Sequence, residues 1–120
     1  MGVVVYMNNQ VNSLDIALFL EQVKKLISTG RYDFVPRRKN MQALAMHGMT
    51  ITDAKMQLLG LVVGDYYKGP KHDFDAGRPG DIWEFKKLVD GTQFYVKIKI
   101  VQENGEDILK CIGFHEDDFI

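Results

Sequence analysis

Two dipeptides, Asp90-Gly91 and Asn104-Gly105, constrain the last third of this chain more than any other feature. Each separates runs rich in β-branched and aromatic residues between Asp81 and His115. Tight hairpin turns need positive φ at their central positions, which Asp-Gly and Asn-Gly tolerate best. The region therefore predicts an antiparallel β-meander.

A meander fixes which side chains share a face. With a two-residue turn at Asp90-Gly91, Val89 faces Thr92, Phe85 faces Val96, Trp83 faces Ile98 and Lys87 faces Phe94. The other face pairs Lys86 with Tyr95 and Glu84 with Lys97. Cross-strand partners stand on one side of a sheet with Cβ atoms ~5 Å apart. One face is thus apolar and aromatic, and the other carries Glu84, Lys86, Tyr95, Lys97 and Lys99. The plain reading is a solvated face whose opposite charges help pairing by ~0.2–1 kcal/mol. The sharper reading is that an acid, a phenol and several lysines suit proton transfer and phosphate contact.

The second hairpin admits two registers. A two-residue turn at Asn104-Gly105 puts Val101 opposite Ile108 and sends His115 to the core face. A three-residue loop ending in Gly105, with a bulge, sets Ile100 opposite Ile108 and Val96 opposite Ile112, and brings His115 beside Tyr95 and Glu84. The longer loop gives better apolar pairing and is the expectation, although it leaves Lys110 among core residues. In the other register His72 replaces His115 as the candidate acid.

Upstream, the pattern turns helical. Asn12 or Ser13 caps a helix presenting Ile16, Phe19, Leu20, Val23, Leu26 and Ile27, and Gly30 ends it. Tyr32 to Val35 is extended, held out of helix by Pro36. A second helix is predicted from about Arg38 to His47, presenting Met41, Leu44 and Ala45. Thr50 and Asp53 form a capping pair for a third helix reaching about Leu61. Residues 64–80, with Gly69-Pro70 and Pro79-Gly80, read as loop-rich, with the strands following them. Helices followed by a meander mean an α+β fold, with N-terminal helices packed on a C-terminal antiparallel sheet. Residues 1–120 fit a single domain, with 1–12 an extension or extra strand.

Composition narrows the function only a little. Fifteen basic and sixteen acidic residues give a net charge of −1, which demands no nucleic-acid partner. The charges are nevertheless clustered: Arg37-Arg38-Lys39, Lys86-Lys87 and Lys97 with Lys99 are basic, and Glu116, Asp117 and Asp118 offset them. Cys111 is the single cysteine, which excludes an internal disulfide and a multi-cysteine zinc site. Its strand position predicts a buried, inert thiol. No apolar run approaches the ~20 residues of a membrane helix, so no membrane partner is expected and a cytoplasmic location follows by default.

Four segments then carry a resemblance. Gln22-Val23-Lys24-Lys25-Leu26, Asp65-Tyr66-Tyr67-Lys68, Ile82-Trp83-Glu84 and Tyr95-Val96-Lys97-Ile98, in this order and spacing, resemble the MqsR family of bacterial toxins over about residues 18–117. The resemblance implies a RelE-like fold and the toxin of a type II toxin–antitoxin pair. It implies an endoribonuclease (an mRNA interferase) that needs no metal or other cofactor. Its partners would be mRNA, a cognate antitoxin and, as a further candidate, the ribosome. The family's active-site lysine falls on Lys68 and its tyrosine on Tyr95. Glu84 stands where the best-known members have glutamine, and His115 where they have lysine. A carboxylate and an imidazole make a competent proton-transfer pair. The expected roles are Glu84 as base for the ribose 2′-OH, His115 as acid, and Lys68 and Lys97 as charge stabilisers. Tyr95 orients the phosphate or stacks on a base, while Arg37, Arg38 and Tyr67 hold flanking RNA.

Two other classes remain in view. Glu84-Phe85-Lys86 with Asp73 and Asp75 loosely resembles the magnesium-dependent PD-(D/E)xK nucleases. The same charged face also suits a non-catalytic module binding protein or nucleic acid.

Overall fold

The computed structural model describes residues 11–73 and 80–118. The apolar segment Met1 to Tyr6 lies outside the described residues. Helix α1 (Ser13–Ser28) begins at a reciprocal cap, in which Asn12 Oδ1 accepts from Asp15 N at 2.9 Å and the Asp15 carboxylate accepts from Asn12 N. It buries Ile16, Leu20, Val23, Leu26 and Ile27 along one stripe. A short strand, β1 (Tyr32–Phe34), leads through Pro36 into α2 (Arg38–Met46). Helix α3 (Ile51–Leu59) opens on the Thr50–Asp53 capping box, with Asp53 N donating to Thr50 Oγ1 at 3.0 Å. Thr50→Ala removes that acceptor and is expected to lower stability by ~1 kcal/mol, read as a reduced urea midpoint at unchanged slope.

Four longer strands follow: β2 (Tyr66–His72), β3 (Asp81–Val89), β4 (Thr92–Glu103) and β5 (Glu106–Glu116). They join β1 in one mixed sheet of order β1-β5-β4-β3-β2. The meander β3-β4-β5 is antiparallel, β2 extends it antiparallel on one side, and β1 pairs parallel with β5 on the other. The fold is α+β, with three helices preceding most of the sheet. All three send their buried side chains to one sheet face, where Phe85, Val89, Phe94, Val96, Ile98, Leu109, Cys111 and Phe114 complete the core. Lys87 reaches back from β3 to donate to Gln57 O in the last turn of α3 at 2.9 Å. None of the described helices is long and apolar enough to cross a membrane.

Three sequence expectations are corrected. Residues 64–80 are not all loop, because Tyr66–His72 forms β2. That strand is irregular, shifting register between Tyr66 and Lys68 and again before Lys71. Gly69 sits at φ 113, and a Cβ there would come within 2.5 Å of Ile82 O. The Gly-Pro pair thus lets the strand pass close to its neighbour rather than ending it. On α2, Met41 and Ala45 are exposed, and Asn40, Ala43 and Leu44 are buried. A polar residue holds the inward position that an apolar pattern could not foresee.

The third correction concerns the second hairpin. Its loop is a two-residue turn, with Asn104 at φ 55, Gly105 at φ 79 and Glu103 opposite Glu106. Val101 faces Ile108 and Ile100 faces Leu109, so Lys110 avoids the core and pairs instead with Asp33 and Glu103 at 2.8 and 3.0 Å. The register then shifts within β5. Ile98 faces Cys111 but Lys97 faces Gly113, leaving Ile112 as the extra residue of a bulge. Beyond it, Val96 faces Phe114 and Tyr95 faces His115. His115 reaches the expected face through a bulge at Ile112 rather than at Gly105.

Candidate active site on the open sheet face

The first hairpin has the register read from Asp90-Gly91, with Glu84 opposite Lys97 and Lys86 opposite Tyr95. Two cross-strand rows therefore lie side by side on the face turned away from the helices. One runs Lys68, Glu84, Lys97, Gly113, and the other runs Lys86, Tyr95, His115. Gly113 leaves room for its neighbour: a Cβ there would lie 3.2 Å from Lys97 Cβ.

Tyr95 joins the rows. Its hydroxyl donates to Glu84 Oε1, and its ring lies tilted against the His115 imidazole with centroids 5.7 Å apart. Glu84 is 0% exposed, and Oε2 forms an ion pair with Lys71 Nζ. Burial alone would raise the Glu84 pKa. The Lys71 ion pair, the Tyr95 hydrogen bond and the Lys97 charge outweigh it and hold the carboxyl below its ordinary value of 4.5. Burial and the adjacent carboxylate push the Tyr95 phenol upward, so it stays protonated. His115 Nδ1 lies 2.9 Å from Glu116 O. A carbonyl only accepts, so Nδ1 carries a proton and the neutral ring keeps its lone pair on Nε2.

The flanking residues form a cationic rim. Tyr67 is exposed, stands edge-on to Tyr95 at 6.4 Å, and has Lys86 Nζ 4.1 Å and Lys68 Nζ 5.0 Å from its ring centroid. Lys86 also pairs with Asp117 at 3.0 Å, where the chain runs on past β5 and Asp117 N donates to Gln93 O. Lys68 and Lys97 make no ion pair among the described residues. Lys68, Lys71, Lys86 and Lys97 thus share the face with the carboxylates of Glu84 and Asp117, which favours a polyanion.

The structure gathers Lys68, Glu84, Tyr95, His115, Tyr67 and Lys97 as the sequence led one to expect. Arg37 and Arg38 are exposed at the start of α2, and their neighbour Lys39 reaches Asp118, three residues past His115, at 2.6 Å. No contact ties either arginine to the cluster among the described residues. Glu84 differs from a freely reachable base, since anything it exchanges with a substrate passes Tyr95 or Lys71. Lys71 escaped sequence reading because β2 was read as loop; with β2 as a strand, it falls opposite Ile82 and diagonal to Glu84.

Other candidates lie elsewhere. His72 is exposed at the end of β2, 3.9 Å from Asp81 Oδ1. Asp73 pairs with Lys99 at 2.7 Å rather than with Glu84, and Asp75 lies outside the described residues. No group of three metal-ligating side chains occurs among the described residues. Cys111 is buried in the core, where desolvation pushes its thiol up to about 12. No model of a known protein family matches the chain, and no curated protein is significantly similar to it.

Proposed function

We propose that the open face cleaves single-stranded RNA without a metal, as the toxin of a type II toxin–antitoxin pair that a cognate antitoxin restrains. The observation that carries the catalytic reading is Tyr95, hydrogen-bonded to a buried carboxylate on one side and in tilted ring contact with an imidazole on the other. The toxin reading and the RelE-like fold rest on the resemblance of Tyr67-Lys68, Ile82-Trp83 and Tyr95-Val96-Lys97 to the MqsR family.

The ribose 2′-OH gives its proton to Tyr95 Oη as Tyr95 passes its own to Glu84. The 2′-oxygen attacks the adjacent phosphorus, and the 5′-oxygen leaves with a proton from Nε2 of His115, which enters the step as the imidazolium and ends it as the neutral Nδ1–H ring. The products are a 2′,3′-cyclic phosphate and a 5′-hydroxyl. Lys68 and Lys97 stabilise the charge that develops on the phosphoryl oxygens. A phosphate that draws Lys71 off Glu84 removes one influence that lowers its pKa, leaving burial opposed only by the Tyr95 hydrogen bond and the Lys97 charge. Substrate binding thereby makes the carboxylate a stronger base.

A single-stranded oligoribonucleotide incubated in EDTA is the direct test. Cleavage is expected to persist, to yield a cyclic phosphate by mass spectrometry, and to vanish at a 2′-deoxy position. Cleavage lost in EDTA and restored by Mg²⁺ would overturn the proposal in favour of a metal-dependent nuclease. Binding without cleavage would reduce the face to a recognition surface.

A further inference from the structure

The register that brings His115 to the open face depends on one extra residue, Ile112, and that residue is clamped from outside the strand. Asn40, in the first turn of α2, is 1% exposed. Its amide nitrogen donates to Ile112 O at 3.2 Å and to Val35 O at 3.0 Å, and its amide oxygen accepts from Phe114 N at 2.9 Å. Asn40 thus holds the carbonyl of the bulged residue and the amide two positions on. Both groups are held at the point where β5 breaks step with β4. Carrying donor and acceptor at this separation is a property of a primary amide. Alanine offers neither, and aspartate offers no donor.

We infer that Asn40 is a positioning residue, which by clamping the Ile112 bulge selects the sheet face on which His115 is presented. This rests on the proposed role of His115, but its structural half can be tested without RNA. Continued in step from Val101 opposite Ile108, β5 would set His115 against Phe94 on the helix-covered face. Burial of Phe114 also favours the shifted register, so hydrophobic pattern and clamp act together. The hydrophobic term holds Phe114 in the core, and Asn40 fixes the backbone atoms that orient the residue after it.

The inference has an unusual rescue. Deleting Ile112 removes the extra residue, so Gly113 follows Cys111 directly and still meets Lys97, and His115 still meets Tyr95. No bulge remains for Asn40 to hold. The full chain, Asn40→Ala, the Ile112 deletion and the combination are compared by NMR and by cleavage of a single-stranded oligoribonucleotide. The expected result is a His115–Tyr95 ring-proton NOE in the full chain that is lost or strongly weakened in Asn40→Ala and recovered in the combination. Turnover should follow the NOE, with kcat down about 100-fold in Asn40→Ala and KM within about twofold. An Asn40→Ala variant that keeps the NOE and kcat and loses only thermal stability overturns the inference. So does a combination in which the NOE stays absent, or in which no folded protein is recovered. If the full chain cleaves no RNA, the catalytic proposal falls, while the NOE series still decides whether Asn40 sets the face of His115.

Discussion

His115→Ala is expected to reduce RNA cleavage by ~10²–10⁴-fold, the usual contribution of a positioned general acid or base. The fold should survive it. The imidazole is half-buried on the open face against the Tyr95 ring and the Glu116 carbonyl, and it is not part of the hydrophobic core cluster. Circular dichroism and the melting temperature should therefore stay close to those of the parent chain while cleavage collapses. His115→Gln separates shape from chemistry: glutamine fills similar space and can donate a hydrogen bond but shuttles no proton, so it should be as inactive as alanine. Activity retained in either variant removes His115 from the mechanism and turns attention to Tyr95 and the lysines.

Glu84 gives the second large effect, in stability as well as activity. Glu84→Ala strips the acceptor from the Tyr95 hydroxyl and the counter-charge from Lys71. Lys71 is half-exposed and can turn to water, so the cost falls mainly on the Tyr95 hydroxyl and the emptied site, roughly 1–3 kcal/mol. Glu84→Gln keeps the volume and an acceptor for Tyr95. It should retain most of the stability and still lose cleavage, because an amide takes no proton. The pH dependence carries a sign. Folding lowers the Glu84 pKa, so the folded state holds fewer protons there than the unfolded chain at mildly acidic pH. The stabilisation is complete above the unfolded value and is lost as pH falls through the lower folded value. The gap in melting temperature between parent and Glu84→Gln should therefore narrow from about pH 6 to about pH 3. A constant gap would mean that Glu84 is not selectively stabilised as a carboxylate.

Legibility in the sequence follows the physics of each element. The first hairpin was readable to the residue, because Asp90-Gly91 fixes turn length and turn length fixes register. The capped helices were readable from Asn12 with Asp15 and from Thr50 with Asp53. The second hairpin was readable only as a choice. The turn obeyed Asn104-Gly105, and the odd residue was absorbed at Ile112, beside Gly113. A glycine inside a strand pattern is the mark of a bulge or close approach, and Gly113 was that mark. Strand β2 was masked by Gly69-Pro70, and with it the Lys71 partner of Glu84. Asn40 could not be found from pattern at all, since its role arises from backbone atoms more than seventy positions away.

The sheet order has a consequence for how the molecule comes together. Strand β1 follows the first helix, yet its partner is β5, the last described strand, which sits between β1 and β4. A chain emerging from its own ribosome can build α1, α2, α3 and the β2-β3-β4 hairpins early, but β1 waits unpaired until β5 arrives. Such a late, long-range closure is slow, because chain entropy is spent before the contacts that repay it form. His115 rides on that closing strand. On the proposed mechanism, a growing chain would lack its acid until His115 comes to lie beside Tyr95, in the same event that seals the sheet.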